Sequence, residues 1–410
     1  MRALFALFSC GVVFLCAAPA FSQGQGSRKI SRGMAAMKVK MYDANNDGKI
    51  TREEYTGDKG LFAMIDKDGD GVITAEELAQ FTQQGDQMLT IGEAPSSDTT
   101  QEGGEPAYIG VGVKALSDMS AADRYKGEDG GLYGKGQNTP PKGHLETALN
   151  EARKIQPLGK DGKPSKDGKV VFLSLGMSNT TMEFQRFQQI IKTVKLPPAL
   201  IVVDGAQGGK EASMWALEKK DAKAAGGTPW DVLAKRLEDA GVSPLQVQVA
   251  WMKQAVGGPA IDGEYPAHIK RYQDFCVTIF QKLKSRYPNV RIVYLSNRIY
   301  ASNANTPLNP EPYAYEYAYG IRHLILDQIA GKPELNCEPA KGEVKAPLLL
   351  WGPDLWANGD TPRKDGLVWP RSDLGGDGTH PGDTGREKVA KMLLHFLQTD
   401  PTAKLWFVGE

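Results

Sequence analysis

Near the C-terminal end the chain reads Asp377-Gly378-Thr379-His380-Pro381, a carboxylate three residues before an imidazole and just ahead of a helical pattern at 384–398. Far upstream, the apolar run 170–175 ends in Gly176-Met177-Ser178-Asn179. A serine hydroxyl is a weak nucleophile at neutral pH. It becomes effective when an adjacent base takes its proton and a third group fixes the tautomer of that base. Ser178, His380 and Asp377 supply the three types, and the chemistry they imply is hydrolysis through an acyl-enzyme. The other histidines, His144, His268, His323 and His395, have no comparable motif around them.

A second chemistry is written into two acidic stretches, 43–54 and 66–77, which fit D-x-[DN]-x-[DN]-G-x5-E. Calcium takes about six to eight oxygen ligands, which this spacing wraps around one point. The expected ligands of the first loop are Asp43, Asn45, Asp47, the carbonyl of Lys49, and Glu54. Those of the second are Asp66, Asp68, Asp70, the carbonyl of Val72, and Glu77. Glycine at the sixth position, Gly48 and Gly71, permits the sharp turn. Ile50 and Ile73, two positions on, fall where paired loops touch. Asp66, Asp68, Asp70 and Glu77 offer more carboxylates than Asp43, Asp47 and Glu54, so the second loop is expected to bind more tightly. Two calcium ions in structural roles are expected, not needed for the ester chemistry, because the short segment 55–65 is poorly suited to a wide opening motion. The basic residues before this module, Arg28, Lys29, Arg32, Lys38 and Lys40, read as a solvated helix face.

The hydrolytic residues need a scaffold. Beyond Lys169, apolar runs at 170–175, 199–204, 245–251, 290–295 and 346–351 alternate with helical patterns. Those patterns cover Phe187 to Val194, 231–240, 267–286, 315–330 and 384–398. This alternation predicts an α/β protein with three layers, a parallel sheet covered by helices on both faces. Such sheets place active sites at the carboxyl ends of strands, where Ser178 falls. The predicted organisation is a signal peptide at 1–22, an EF-hand pair at 28–83, a flexible linker at 84–116 and the hydrolase at 117–410. The linker reading rests on the small polar and acidic residues of 93–104. Residues 117–168 read as a lead-in with one helix at 144–155.

The Gly176-Met177-Ser178-Asn179 block, a later Gly208-Gly209 followed by Trp215, and the late Asp377-x-x-His380 resemble the SGNH (GDSL-like) hydrolase superfamily. Within it they are similar to the carbohydrate acetylesterases, including sialate O-acetylesterase-like proteins. The resemblance spans roughly 165–400. It implies a flavodoxin-like sheet, Ser178 as nucleophile, His380 as general base and Asp377 as its orienting carboxylate. It also implies an oxyanion hole from the amide of Ser178, an amide of Gly208 or Gly209, and a side-chain amide from a third block. That block departs from the family pattern. No Gly-x-Asn-Asp is present, and Trp251 is followed by Met252-Lys253-Gln254-Ala255. Gln254 could donate an amide there, or Lys253 a charge, with Asn297-Arg298 a further candidate.

The resemblance implies an acylated carbohydrate as substrate and a serine acetylesterase as the activity. Two alternatives use the same residues: a lipase or thioesterase of the same fold, and a non-catalytic calcium-dependent glycan-binding protein on a degenerate hydrolase scaffold. Trp356 and Trp369, bracketing a polar loop, read chiefly as packing, with sugar stacking as the other reading.

Charge is balanced at 49 basic against 49 acidic residues, which gives no basic excess for nucleic acid. Arg2, the apolar run from Ala3 to Ala17 and small residues at Ala20 and Ser22 read as a cleaved secretory signal. The run falls short of the roughly 20 residues a membrane span needs. A secreted or periplasmic location is therefore expected, with no membrane span after cleavage. Cys276 and Cys337 then remain, and whether they pair is left open.

Overall fold

A computed structural model of the chain describes residues 28–31, 48–52, 54–55, 59–83, 88–91, 113–220 and 227–409. The expected signal peptide, most of the linker and the ligands Asp43, Asn45 and Asp47 lie outside them. The chain divides into two compact units, Met1–Gly103 and Gly104–Glu410.

In the first unit, β1 (Arg28–Ser31) pairs antiparallel with β4 (Met88–Ile91). Arg28 and Lys29 are thus in a strand and not on a helix face. The partner strand falls inside the stretch read as linker, where Met88-Leu89-Thr90-Ile91 is an apolar, β-favouring island. Between them lie β2 (Ile50–Thr51), α1 (Lys59–Ile65), β3 (Val72–Ile73) and α2 (Ala75–Gln83). The short strands pair antiparallel with Ile50 opposite Ile73, and both side chains are buried along with Phe62, Ile65, Leu78 and Phe81.

The second unit is an α/β fold around five parallel strands. These are β5 (Val170–Gly176), β6 (Leu200–Val203), β7 (Val247–Lys253), β8 (Ile292–Leu295) and β9 (Leu348–Trp351). Their order is β6-β5-β7-β8-β9. The helices are α3 (Lys142–Ala152), α4 (Ser178–Ile190), α5 (Ala212–Ala216), α6 (Pro229–Asp239) and α7 (Ala267–Arg286). They are followed by α8 (Tyr313–Ile329), α9 (Asp383–Thr399) and α10 (Lys404–Phe407).

Successive residues of a strand point to opposite faces, and the core divides accordingly. Val171, Leu173, Leu175, Ala250, Met252, Val293 and Leu295 pack with Leu233, Cys276, Phe280 and Tyr317 of the helices on one face. Val170, Phe172, Val249, Trp251, Ile292 and Tyr294 pack with Phe184, Phe187, Val389, Leu393 and Trp406 on the other. Burying a Phe completely, as at Phe184 and Phe187, stabilises by about 2 kcal/mol. This cluster therefore holds α4 and α9, the two helices that flank the candidate site, against one face of the sheet.

The same sorting settles the cysteines. Cys276 belongs to the first core and Cys337 packs against the second, and both are free thiols. The polar stretch before the α/β unit ends earlier than its composition suggests, because Ala115 and Leu116 are buried in the core. Among the described residues, no helix is long and apolar enough to cross a membrane.

Candidate active site

Strand order reverses direction between β5 and β7, and in open α/β sheets such a switch point opens a crevice at the strands' carboxyl ends. Ser178 stands there as the first residue of α4, with Met177 before it in an extended conformation. The chain that places His380 comes from the other end of the unit. Asp377-Gly378-Thr379-His380 turns tightly ahead of α9, and Gly378 (φ +66°) sits where an added Cβ would lie 1.8 Å from the carbonyl oxygen of Asn303. The Asn305 amide donates to the Asp377 carbonyl at 3.0 Å, so the loop after β8 braces this turn.

Ser178 Oγ lies 2.6 Å from His380 Nε2, and His380 Nδ1 lies 2.5 Å from Asp377 Oδ2. A carboxylate only accepts, so Asp377 keeps the proton on Nδ1 and leaves Nε2 as acceptor for the serine hydroxyl. Asp377 Oδ1 accepts from the amides of Thr379 and His380, both at 3.0 Å. Burial pushes the Asp377 carboxyl up, but the amide and imidazole of His380 and the amide of Thr379 outweigh it and hold it below its ordinary value. Asn179 donates its side-chain amide to the Thr379 carbonyl at 2.9 Å, tying the serine helix to the histidine turn. On the surface the same helices are joined by Arg186 and Glu387 at 2.6 Å.

The second block is laid against the first. The Gln207 amide donates to the Gly176 carbonyl at 3.1 Å, and the buried Trp215 indole reaches that carbonyl at 3.3 Å and Lys210's at 3.1 Å. Gly208 and Gly209 are exposed, with open space where a side chain would be. Among the described residues no hydrogen bond engages either amide. Gln254 is buried and its amide donates to the Lys210 carbonyl at 3.4 Å.

The other third-block candidates have different partners. Lys253 is completely buried in an ion pair with Glu183. Asn297 donates to Asp354 and accepts from the Leu355 amide, both at 2.7 Å, which makes it a clamp between β8 and the loop after β9. Arg298 is buried, with Nη1 3.7 Å from Met177 Sδ, and its Nε and Nη2 have no hydrogen-bond partner among the described residues.

Trp356 and Trp369 are buried, their indoles bonded to Glu311 and to the Leu355 carbonyl, so both pack. Residues not anticipated from sequence include Thr180, Glu183 and Asp204. The last accepts from the hydroxyls of Ser174 at 2.6 Å and Thr181 at 2.5 Å. For Lys253 the sequence marks only that one charge stands among apolar neighbours, not what it pairs with; Glu183, close to Gln185 and Arg186, carries no such mark.

In the first unit, carboxylate oxygens of Asp66, Asp68 and Asp70 lie within 4.8 Å of one another. Asp66 accepts from the amides of Gly69 and Gly71, Asp68 from that of Asp70, and Asp70 from that of Val72. Glu77 accepts from the Thr74 amide and hydroxyl and the Lys67 amide. Burial pushes its carboxyl up, yet these donors outweigh burial and hold it low. Oxygen-only donors converging around a left-handed Gly71 (φ +85°) fit a hard divalent cation of calcium's size.

No curated protein matches the chain. A solved structure of a carbohydrate esterase, whose active site is described as displaying divergent catalytic and non-catalytic binding functions, is similar over 58% of this chain and 68% of its own. The identity is 12% and the TM-score 0.29. The family model for the EF hand matches residues 40–56 and 58–82, an EF-hand region that implies calcium binding.

Proposed function

We propose that the second unit is a serine ester hydrolase that removes acetyl groups from carbohydrate. The observation that carries this reading is the continuous chain Ser178 Oγ–His380 Nε2–His380 Nδ1–Asp377, with contacts of 2.6 and 2.5 Å. Ser178 attacks the acyl carbon and passes its proton to His380 Nε2. Asp377 stabilises the resulting imidazolium through Nδ1–H without taking the proton. The oxyanion is met by the Ser178 amide and an amide of Gly208 or Gly209, each such donor being worth about 3 kcal/mol in the transition state. His380 then protonates the departing sugar oxygen. Water, deprotonated by the same nitrogen, attacks the acyl-enzyme and releases acetate. The carbohydrate assignment is supported by the order of the sequence blocks, and a secreted or periplasmic location by the resemblance of residues 1–22 to a secretory signal.

Calcium would be held in the first unit by Asp66, Asp68, Asp70, Glu77 and the carbonyl of Val72. A second ion would take Asp43, Asn45, Asp47, Glu54 and the carbonyl of Lys49. The ion supplies charge neutralisation that stiffens the loops. The test is hydrolysis of p-nitrophenyl acetate by the protein beside Ser178→Ala. Turnover lost in the variant supports the esterase, and acetylated polysaccharides set against long-chain esters then resolve the substrate. Turnover equal in both proteins, or absent from both on every ester, refutes it.

A further inference from the structure

Behind Ser178 lies a pair of charges that the ester chemistry does not use. Lys253, the last residue of β7, donates to both carboxylate oxygens of Glu183 at 2.5 and 2.7 Å, and neither side chain has any solvent exposure. Burial pushes the Glu183 carboxyl up and the Lys253 ammonium down, so each depends on the other to stay charged. Removing two charges from water costs several kcal/mol per ion, and apolar residues of similar volume often replace such a pair without loss of stability. The pair therefore needs a reason other than stability.

Its position supplies one. Ser178, Thr180 and Glu183 share the first two turns of α4. The Thr180 hydroxyl donates to the Lys253 carbonyl at 2.7 Å, so one lysine grips the helix through both its backbone and its side chain. Gly176 is the register partner of Lys253, and a Cβ there would lie 2.3 Å from Thr180 Oγ1 and 2.4 Å from the Lys253 oxygen. That contact leaves α4 no room to slide. Asn179 extends the constraint to the carbonyl just before His380. After Lys253, the buried guanidinium of Arg298 is the next charge that favours the ionised Glu183.

We propose that Lys253 and Glu183 are positioning residues: their buried ion pair, with the Thr180 hydrogen bond, locks the start of α4 against the end of β7 and so sets Ser178 Oγ against His380 Nε2. This rests on the esterase reading of the same site. A misplacement of about 1 Å at a reacting atom costs roughly 10²-fold in rate, so the lock shows in kcat and not in substrate affinity.

The test is the double variant Glu183→Leu/Lys253→Met, which fills the same space with apolar atoms. Its melting temperature is expected at or above that of the wild type. Its kcat on p-nitrophenyl acetate should fall about 10- to 100-fold with KM within about twofold. A folded double variant with wild-type kcat, or one whose loss lies in KM alone, overturns the proposal. Should the double variant not fold, Thr180→Val keeps the ion pair and cuts only the hydrogen bond. A several-fold loss of kcat at constant KM and melting temperature then supports the lock, and an unchanged kcat overturns it. A wild-type protein inert toward all esters would strike the esterase reading itself and take this proposal with it.

Discussion

In the loop that begins at Asp66, three carboxylates that converge on one point are separated by single residues. In the α/β unit, Ser178 and His380 are 202 positions apart and meet at 2.6 Å. The calcium loop is built by local backbone: glycine turns it, and amides two to five residues on orient each carboxylate. The serine–histidine contact is built by the whole sheet. It needs β5 beside β7, α4 and α9 in one core, and the loop after β8 bracing the histidine turn. A local site tolerates distant change and fails by its own residues; a dispersed one can fail anywhere along the structure that assembles it.

The largest expected effect tests the dispersed site at its centre. Ser178→Ala should lower kcat/KM by about 10³-fold or more, with the melting temperature unchanged and calcium binding unaffected. Loss of calcium binding in this variant would break the comparison, since it would make the two sites one system.

Glycine sharpens it further, because both sites use one with positive φ. At Gly378 a methyl group would meet the Asn303 carbonyl, whereas at Gly71 nothing lies within 4 Å. Gly378→Ala should therefore cost about 3 kcal/mol or more and reduce turnover with it. Gly71→Ala should cost only the left-handed backbone penalty of about 1–2 kcal/mol. Chemical denaturation of each variant checks the pair, and equal losses would remove the distinction.

The same contrast explains what could be read from the sequence. The loop 66–77 was legible because its ligands are its own neighbours. The strands were legible because fully buried parallel strands are unbroken apolar runs, as in Val170–Gly176 and Val247–Lys253, and Ala267–Arg286 was legible from its period. Ser178 and His380 could be joined only through motif order. The tyrosines at 313, 315, 317 and 319 alternate like a strand yet open the helix that the pattern over 315–330 predicts, which is buried on nearly every side. The roles of Lys253, Gln254 and Asn297 were not legible at all, since an end-of-strand polar residue has the same sequence signature whether it faces substrate, a buried glutamate or a neighbouring loop.

Glu311 gives a dispersed effect of intermediate size. It is buried and accepts from the Trp356 indole at 2.8 Å and from the amides of Ala301 at 3.0 Å and Tyr315 at 2.9 Å. Burial nevertheless prevails and pushes its carboxyl from 4.5 up to about 7. The folded state thus holds a proton that the unfolded chain releases. The associated stability is complete below pH about 4.5 and is lost as pH rises through about 7. That displacement corresponds to about 3 kcal/mol. Urea unfolding of the second unit at pH 5 and pH 8 should show a fall of about 2–3 kcal/mol that Glu311→Gln lacks. An identical pH slope in both proteins would contradict the assignment.

The smallest effect belongs to the local site. Asp70 is exposed and among the described residues its carboxylate accepts only from the Val72 amide, at 2.8 Å. Without calcium, Asp70→Asn should therefore change the stability of the first unit by no more than about 0.5 kcal/mol. It also relieves repulsion from the carboxylates of Asp66 and Asp68. With calcium the sign reverses, because the ion loses a charged ligand. Saturation at about 100 times the dissociation constant stabilises the wild type by about 2.7 kcal/mol, and a tenfold weaker site at the same concentration forfeits about 1.3 kcal/mol of that. Thermal unfolding with calcium and with chelator separates the two regimes, while turnover of p-nitrophenyl acetate should be equal in both. A variant that loses stability equally with and without calcium would show that Asp70 shapes the loop and not the ion site. A turnover that follows the chelator would show that the local and the dispersed sites are coupled.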